Sequence, residues 1–300
     1  MHHFKSRFLN CAGRDIHFLE GGDPSNETVI IWHGVTGTCR DHAELATRLS
    51  DKYYVICPDS IGCGLSDWVV DKEIDPGLTF YSEIARDLLR QLTITSCRWI
   101  GASKGGGLGI ILADIMTDIP ITHLVLNDVG PGLPGWMRTA AMKNISSPPR
   151  FDSYSQFEDS LRTTLTRGKL SLPDHKWQHL ALTWSRRTDD GGVTFHNDPA
   201  LAYQFSHHPE DFDLWHHYDR ITAPTLLIRG QQSLVDDAEC NGMQERGPQC
   251  DLYQRPGGHI SLMDDRTEQD IIINFIEGAS LTPQNSTYRT TGDTHEQNYR

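Results

Sequence analysis

The 300-residue sequence predicts an α/β protein, with an eight-stranded, mostly parallel sheet flanked by helices and one inserted helical segment. Two observations support this fold class. Short runs rich in β-branched residues alternate with longer stretches in which apolar residues recur at helical spacing. Residues of the apolar class (A, V, I, L, M, F, W, Y and C) make up 37% of the chain, which together with 26 glycines is typical of a protein with a sizeable core.

The predicted elements follow one another in a regular order. The first two strands, at residues 4–9 and 15–19, are separated by a short segment that contains Gly13, which predicts an antiparallel hairpin. Six later strands are predicted at 29–32, 53–57, 97–100, 121–126, 225–228 and 250–253. Helices are predicted at 42–49, 81–92, 106–116, 238–244 and 268–276, because apolar residues recur there with helical periodicity.

Residues 131–218 interrupt this alternation. Proline, glycine and helix-like stretches are frequent there, four of the seven tryptophans fall in the segment, and no strand is predicted. We therefore expect a helical lid, inserted into an α/β core formed by residues 1–130 and 219–280. Residues 281–300 are rich in Thr, Gln and Asn and nearly devoid of apolar residues, which predicts a disordered tail.

The charge and the apolar pattern exclude several classes of partner. Lys and Arg number 27 against 40 Asp and Glu, so the net charge of −13 offers no basic surface for nucleic acid or an anionic membrane. The longest apolar runs are far shorter than the roughly 18–20 residues of a membrane span. We expect a small-molecule substrate as partner, with no nucleic acid and no membrane, and the sequence is compatible with a homodimer.

The cellular compartment is predicted from the cysteines and the first residues. Seven cysteines form an odd set without a C-x-x-C pair, which argues against a disulfide framework and a cysteine zinc site. The first residues lack the apolar stretch of a signal peptide. We therefore expect a cytoplasmic protein with reduced thiols.

A serine motif follows the strand predicted at 97–100. Residues 101–105 read Gly-Ala-Ser-Lys-Gly, fitting G-x-S-x-G, and they open the glycine-rich helix that comes next. A serine at a sharp strand-to-helix turn has its hydroxyl lifted out of the sheet, and the helix N-terminus supplies backbone N–H groups for an oxyanion. Ser103 is therefore the candidate nucleophile, against the alternative of a chance match in a chain rich in glycine.

Two further segments would complete a hydrolytic site. His33-Gly34-Val35 directly follows the strand at 29–32, where the loop can bring the Val35 N–H beside that of Lys104 as an oxyanion hole. We interpret His33 itself as a brace for this loop. His259 follows the last strand in a Pro-Gly-Gly-His loop, and histidine is the residue type that suits a general base there.

Together these motifs resemble the α/β-hydrolase superfamily, in particular bacterial lid-bearing hydrolases of the esterase and carbon–carbon bond hydrolase group. The resemblance covers residues 4–277 and implies Ser103 as nucleophile, His259 as base, and the amides of Val35 and Lys104 as oxyanion donors. The segments that carry it are the opening hairpin, His33-Gly34, PDSIGCGLSD at 58–67, GASKG at 101–105, LNDVGP at 126–131 and Gly258-His259.

The acid that orients the histidine departs from the family pattern. Members usually carry it three or four residues after the glycine that closes the seventh strand, but Gly230 is followed by Gln-Gln-Ser-Leu. Asp128, just past the sixth strand, is preferred because its position needs no loop rearrangement. Asp236 is the alternative acid, reachable if the loop takes another register. Asp128 also has a purely structural interpretation, as a turn residue before Gly130-Pro131.

No cofactor and no metal are expected. The nearest metal signature, His175 and His179, lacks the glutamate of H-E-x-x-H and any third ligand at a recognised spacing. The sequence therefore predicts a cofactor-free serine hydrolase that acts through an acyl-enzyme on a small ester, a lactone or a ketone-activated carbon–carbon bond. The alternative is a small-molecule receptor on the same fold that has lost catalysis.

Overall fold

The computed structural model describes residues 4–279, and within them the predicted eight-stranded sheet is confirmed. The strands, in chain order, are β1 (Lys5–Cys11), β2 (Arg14–Gly21), β3 (Thr28–Trp32), β4 (Tyr54–Pro58), β5 (Cys97–Ala102), β6 (Ile121–Asn127), β7 (Ser185–Arg187), β8 (Val193–Phe195), β9 (Thr225–Gln232) and β10 (Asp251–Gly258). The sheet order is β1-β2-β4-β3-β5-β6-β9-β10. β1, β2 and β4 pair antiparallel, and the remaining neighbours pair parallel.

Helices connect these strands and cover both faces of the sheet. They are α1 (Ala43–Leu49), α2 (Leu78–Gln91), α3 (Lys104–Ile115), α4 (Gly135–Ser146), α5 (Tyr154–Arg167), α6 (Asp174–Thr183), α7 (Gln204–His207), α8 (Trp215–Tyr218), α9 (Asp237–Glu245) and α10 (Arg266–Ile276), with 3₁₀ helices at Pro199–Tyr203 and Pro209–Phe212.

The hydrophobic core lies in two layers, one on each face of the sheet. Leu45 of α1 and Ile272 of α10 pack on one face, while Leu88 of α2, Leu108 of α3 and Met243 of α9 pack on the other. All five residues of β3 are buried, as expected for a parallel strand covered on both sides. The carboxyl ends of β3, β5, β6 and β10 therefore meet at one edge, where ligands bind in open α/β sheets.

Residues 131–218 connect β6 to β9 and supply most of a hydrophobic cluster centred on Phe157, Trp177 and Leu180, which Leu262 joins from outside the segment. The expectation that this segment has no strand is wrong, because β7 and β8 form a short antiparallel hairpin. Its strands have three residues each, too few for a periodic pattern. They are held instead by the buried Val193, whose backbone also pairs with Phe151.

The predicted tail at 281–300 lies outside the described residues. Within residues 4–279, no helix has both the length and the apolar character that crossing a bilayer requires.

Candidate active site

Ser103 alone forms the turn between β5 and α3. Its backbone has φ +47° and ψ −115°, a conformation that costs a residue with a side chain on the order of 1–3 kcal/mol. The Ser103 N–H donates to the carbonyl of Asn127 at 3.1 Å, which ties the turn to the end of β6. Such strain is stored at functional turns when the surrounding structure holds it in place.

The glycines beside Ser103 are required by close backbone contacts. A Cβ on Gly101 would lie 2.3 Å from the carbonyl oxygen of Gly105, and a Cβ on Gly105 would lie 2.3 Å from that of Trp32. Neither space admits a side chain. The G-x-S-x-G pattern therefore corresponds here to a turn in which strand and helix approach too closely for any other residue.

His259 and Asp128 come together at the carboxyl edge of the sheet. His259 Nδ1 lies 2.8 Å from Asp128 Oδ2, and Asp128 is fully buried directly after β6. The same carboxylate accepts hydrogen bonds from the N–H groups of Gly230, at 2.7 Å, and Leu234, at 3.3 Å. These bonds fix the carboxylate so that the imidazole carries its Nδ1 proton toward Asp128.

Asp236, the alternative acid, lies elsewhere. Its side chain is exposed and caps the N-terminus of α9 by accepting from the N–H of Glu239 at 2.8 Å. Aspartate is a preferred residue at this capping position. The structure therefore gives Asp236 a local helix-capping contact and does not bring it to His259.

The loop after β3 passes close to Ser103. A Cβ on Gly34 would lie 3.5 Å from Ser103 Cβ, an ordinary van der Waals distance, so the backbone of this loop lies directly beside the serine. His33 Nε2 accepts from the N–H of Ser60 at 2.9 Å, and His33 Nδ1 donates to the carbonyl of Gly34 at 2.6 Å. Burial lowers the pKa of His33. His33 is thus a neutral imidazole with both nitrogens engaged, which braces the loop.

Ser103 and His259 line two cavities. The first has a volume of about 90 Å³, is mostly apolar, and is lined by residues both within and outside the segment 131–218. The second has a volume of about 160 Å³ and lies against the loop after β3. Val35, Ser103 and His259 line both of them. Other residues of the first cavity include Leu78, Lys104, Asp128, Leu133, Gln204, Phe205, Asp211 and Leu214; those of the second include Asp41, His42, Asn127, Trp184 and Leu262.

No hydrogen bond joins the Ser103 hydroxyl to His259 in the part of the chain that the structure describes. Both side chains nevertheless face the same two cavities. In hydrolases without substrate this contact is commonly long and tightens in the substrate complex.

Two cavity groups have shifted pKa values because they are buried. Burial lowers the pKa of Lys104 to about 7, and the Asp211 carboxylate opposes this shift. Burial raises the pKa of Asp41 to about 7, although Trp184 Nε1 donates to Asp41 Oδ1 at 2.8 Å and thereby favours the ionised form. Shifted groups in a cleft are typical of functional sites.

Arg255 supports the loop that carries His259. It is 6% exposed and donates to the carbonyl oxygens of Pro256 at 3.0 Å, Gly258 at 2.7 Å and His259 at 3.3 Å. Its Nε lies 3.8 Å from Oε1 of Glu268, which is also buried. Arg255 lies two residues beyond the strand predicted at 250–253, and no local motif in the sequence indicates this role.

Arg255→Met is expected to destabilise the protein by about 2–4 kcal/mol, because three carbonyls lose a donor and Glu268 loses its cation. Burial raises the pKa of Glu268 to about 7, so the folded carboxyl ionises as pH rises through that value. The loss of folding stability caused by Arg255→Met should therefore grow as pH rises. Urea unfolding across this range tests it, with the exposed Arg266→Met as control; an equal effect of both variants would contradict the account.

Candidate metal ligands gather at a different place. In residues 4–279, His17, Cys39 and Asp59 have ligand atoms within 4.8 Å of one another. They already bond to protein groups: Asp59 Oδ2 lies 2.7 Å from His17 Nδ1, and Oδ1 accepts from the Cys39 N–H at 2.7 Å. This arrangement fixes the turn after β4. His175 and His179, the nearest metal signature in the sequence, lie exposed on α6.

Sequence reasoning missed the polar groups of the first cavity. Asp211 and Gln204 come from the 131–218 segment and have no motif around them. Gln204 Nε2 donates to Asp211 Oδ2 at 2.8 Å. Only the folded chain brings them beside Lys104, so no local pattern could have indicated them.

Comparisons with known proteins agree with this fold. Residues 29–270 match the model of the alpha/beta hydrolase family. The chain is similar to 3-hydroxybutyrate-oligomer hydrolase of Cupriavidus necator, at 31% identity over 278 residues, covering 87% of this chain and 92% of that protein. It is also similar to 2-(acetamidomethylene)succinate hydrolase of Mesorhizobium japonicum, at 25% identity, covering 92% and 96%. The crystal structure of an alpha/beta hydrolase from Novosphingobium aromaticivorans matches with a TM-score of 0.81 at 27% identity, covering 91% of this chain and 98% of that chain.

Proposed function

Because the chain is an α/β-fold hydrolase, a member of the alpha/beta hydrolase family, we propose that it cleaves carboxylic esters through an acyl-enzyme on Ser103. The observation that carries the proposal is the hydrogen bond between His259 and Asp128 beside a cavity that Ser103 also lines. A buried carboxylate that holds one imidazole nitrogen leaves the other free to accept a proton.

The first half of the reaction forms the acyl-enzyme. Ser103 Oγ attacks the ester carbonyl while its proton moves to His259 Nε2, and the N–H groups of Val35 and Lys104 stabilise the oxyanion. Asp128 stabilises the imidazolium. Collapse of the tetrahedral intermediate breaks the bond to the alkoxide, which takes the proton from His259 and leaves as the alcohol.

The second half releases the acid. Water gives a proton to His259 and attacks the acyl carbon, and the second tetrahedral intermediate expels Ser103 Oγ, which regains that proton. Lactones would follow the same steps with the alcohol still tethered. Ketone-activated carbon–carbon bonds would use the same nucleophile, with a carbanion as the leaving group.

We infer esters of short hydroxy acids as the preferred substrates, 3-hydroxybutyrate oligomers among them. The support is the 31% identity to the Cupriavidus necator enzyme over most of both chains. The small, largely apolar first cavity also suits a short acyl chain better than a long one.

Two measurements test this proposal together. A fluorophosphonate probe should label Ser103, as read by peptide mass, and the 3-hydroxybutyrate dimer should be hydrolysed faster than p-nitrophenyl esters of long fatty acids. A protein that stays unlabelled while a control esterase is labelled would be the catalytically inactive receptor. Labelling without preference for the dimer would retain the mechanism and refute the substrate.

Chelation is expected to leave activity unchanged, because every step is assigned to side chains and backbone amides of the chain. Turnover of the dimer before and after dialysis against EDTA measures this directly. Activity that is lost on dialysis and restored by zinc would place a metal in the mechanism and refute it as written.

A further inference from the structure

Lys104 lines the first cavity, and its ammonium group has neutral partners. Nζ donates to the carbonyl oxygen of Pro76 at 3.0 Å and lies 3.5 Å from the centre of the Tyr81 ring. Among residues 4–279, no carboxylate comes within 4.0 Å of it. A carbonyl and an aromatic face compensate a buried cation only in part, so the site favours an anion.

Asp211 is the carboxylate with the largest electrostatic influence on Lys104, and it is engaged with other donors. Its Oδ2 accepts from the N–H of Leu78 at 2.9 Å and from Gln204 Nε2 at 2.8 Å. These two bonds hold the carboxylate in the cavity wall, beyond ion-pair distance from Lys104. The ammonium is therefore left without a direct counter-ion, next to the position where the substrate must bind.

We propose that Lys104 binds a free carboxylate of the substrate in the first cavity, which makes the enzyme selective for esters that carry a carboxylate close to the scissile bond. This inference rests on the proposed function, since it concerns the same site. Leu78, Phe205 and Leu214 form apolar walls of this cavity, and an apolar surrounding strengthens the ammonium–carboxylate attraction.

The proposal defines which bond of an oligomer is cut. A linear oligomer of a hydroxy acid has its free carboxylate at one end only. With that carboxylate on Lys104, the ester that reaches Ser103 is the terminal one, and its leaving alcohol is the last hydroxy acid unit. The enzyme would then shorten oligomers one unit at a time from the carboxyl end.

The first test compares the 3-hydroxybutyrate dimer with its methyl ester. Wild type should have a kcat/KM at least about tenfold higher for the free acid, a ratio typical of a charge-assisted hydrogen bond. Lys104→Met should reduce this ratio at least about tenfold, and Lys104→Arg should keep part of it. Lys52→Met removes an exposed lysine that pairs with Glu277 and should leave both the ratio and the activity unchanged.

The ratio should also depend on pH. Burial lowers the pKa of Lys104 to about 7, so the preference for the acid should fall as pH rises through that value. Burial raises the pKa of Cys63 and of Tyr81, which remain neutral, and burial also raises the pKa of Asp211. His259 acts as base on both substrates alike, so its contribution cancels in the ratio.

A binding measurement separates this inference from the proposed function. Calorimetry with 3-hydroxybutyrate itself should show at least about tenfold weaker binding to Lys104→Met than to wild type. Binding that depends on Lys104 without any turnover would refute the hydrolytic function and retain the carboxylate site. If Lys104→Met turns over substrate with the same acid-to-ester ratio as wild type and binds 3-hydroxybutyrate equally well, the carboxylate site is refuted. If Lys104→Met does not fold, a wild-type kcat/KM that is the same for the free acid and its methyl ester refutes the site.

Discussion

Ser103→Ala is expected to reduce kcat on the 3-hydroxybutyrate dimer by about 10⁶-fold, the scale on which a triad loses rate without its nucleophile. The variant cannot form an acyl-enzyme, and its two oxyanion donors stabilise only the slow direct attack by water. Residual turnover should be insensitive to fluorophosphonate.

The fold of this variant should be intact. The Ser103 hydroxyl has no hydrogen-bond partner within the described residues, and the backbone bonds of the turn do not involve the side chain. Urea unfolding should therefore give a midpoint close to that of wild type, and Ser147→Ala, at an exposed serine, serves as the matched control. A folded Ser103→Ala protein that keeps more than a few per cent of wild-type kcat would show that the nucleophile is a different group.

Asp128→Asn should lower kcat by roughly 10⁴-fold, as when a triad carboxylate is neutralised. In the wild-type structure, Asp128 Oδ2 lies 2.8 Å from His259 Nδ1, and Asp128 Oδ1 accepts from the Gly230 N–H. The side-chain amide that Asp128→Asn introduces keeps its oxygen toward Gly230 and presents its NH₂ group to His259 Nδ1. Because Nδ1 must then accept a hydrogen bond, the imidazole carries its proton on Nε2. That tautomer cannot accept the proton of Ser103.

Asp236→Asn is the control for this prediction. Asparagine caps a helix about as well as aspartate, so both stability and kcat should change little. A reversed result, with a silent Asp128→Asn and an inactive Asp236→Asn, would move the acid to the loop after β9. If neither substitution lowers kcat while Ser103 and His259 stay essential, the enzyme works as a dyad.

The order of the elements could be predicted from the sequence because it depends on local periodicity. The ends of β9 and β10 could not. Both were predicted to end near their last apolar residues, at 228 and 253, yet β9 runs to Gln232 and β10 to Gly258. The extension comes from pairing between the two strands, in which Gly258 lies opposite Gln232, and a single segment contains no signal for such a partner.

The residues of the candidate site likewise divide into those that a local motif indicates and those that only tertiary packing brings together. Ser103 and His259 lie in local motifs at strand ends, so the sequence indicates them. Asp128 was open to two interpretations, because its approach to His259 depends on a neighbouring strand. Asp211 comes to Lys104 from a segment more than a hundred residues away in the chain, and only tertiary packing brings the two to one cavity.

The central claim, an acyl-enzyme on Ser103, is tested most directly by stopping turnover of the 3-hydroxybutyrate dimer with acid in the first moments and determining the masses of the proteolytic peptides. The peptide that contains Ser103 should carry one 3-hydroxybutyryl group, and more of it in Asp128→Asn if deacylation slows more than acylation. No adduct should form in Ser103→Ala. An acyl group on another residue would contradict the mechanism. So would turnover, followed from its first cycle, that leaves no adduct on any peptide.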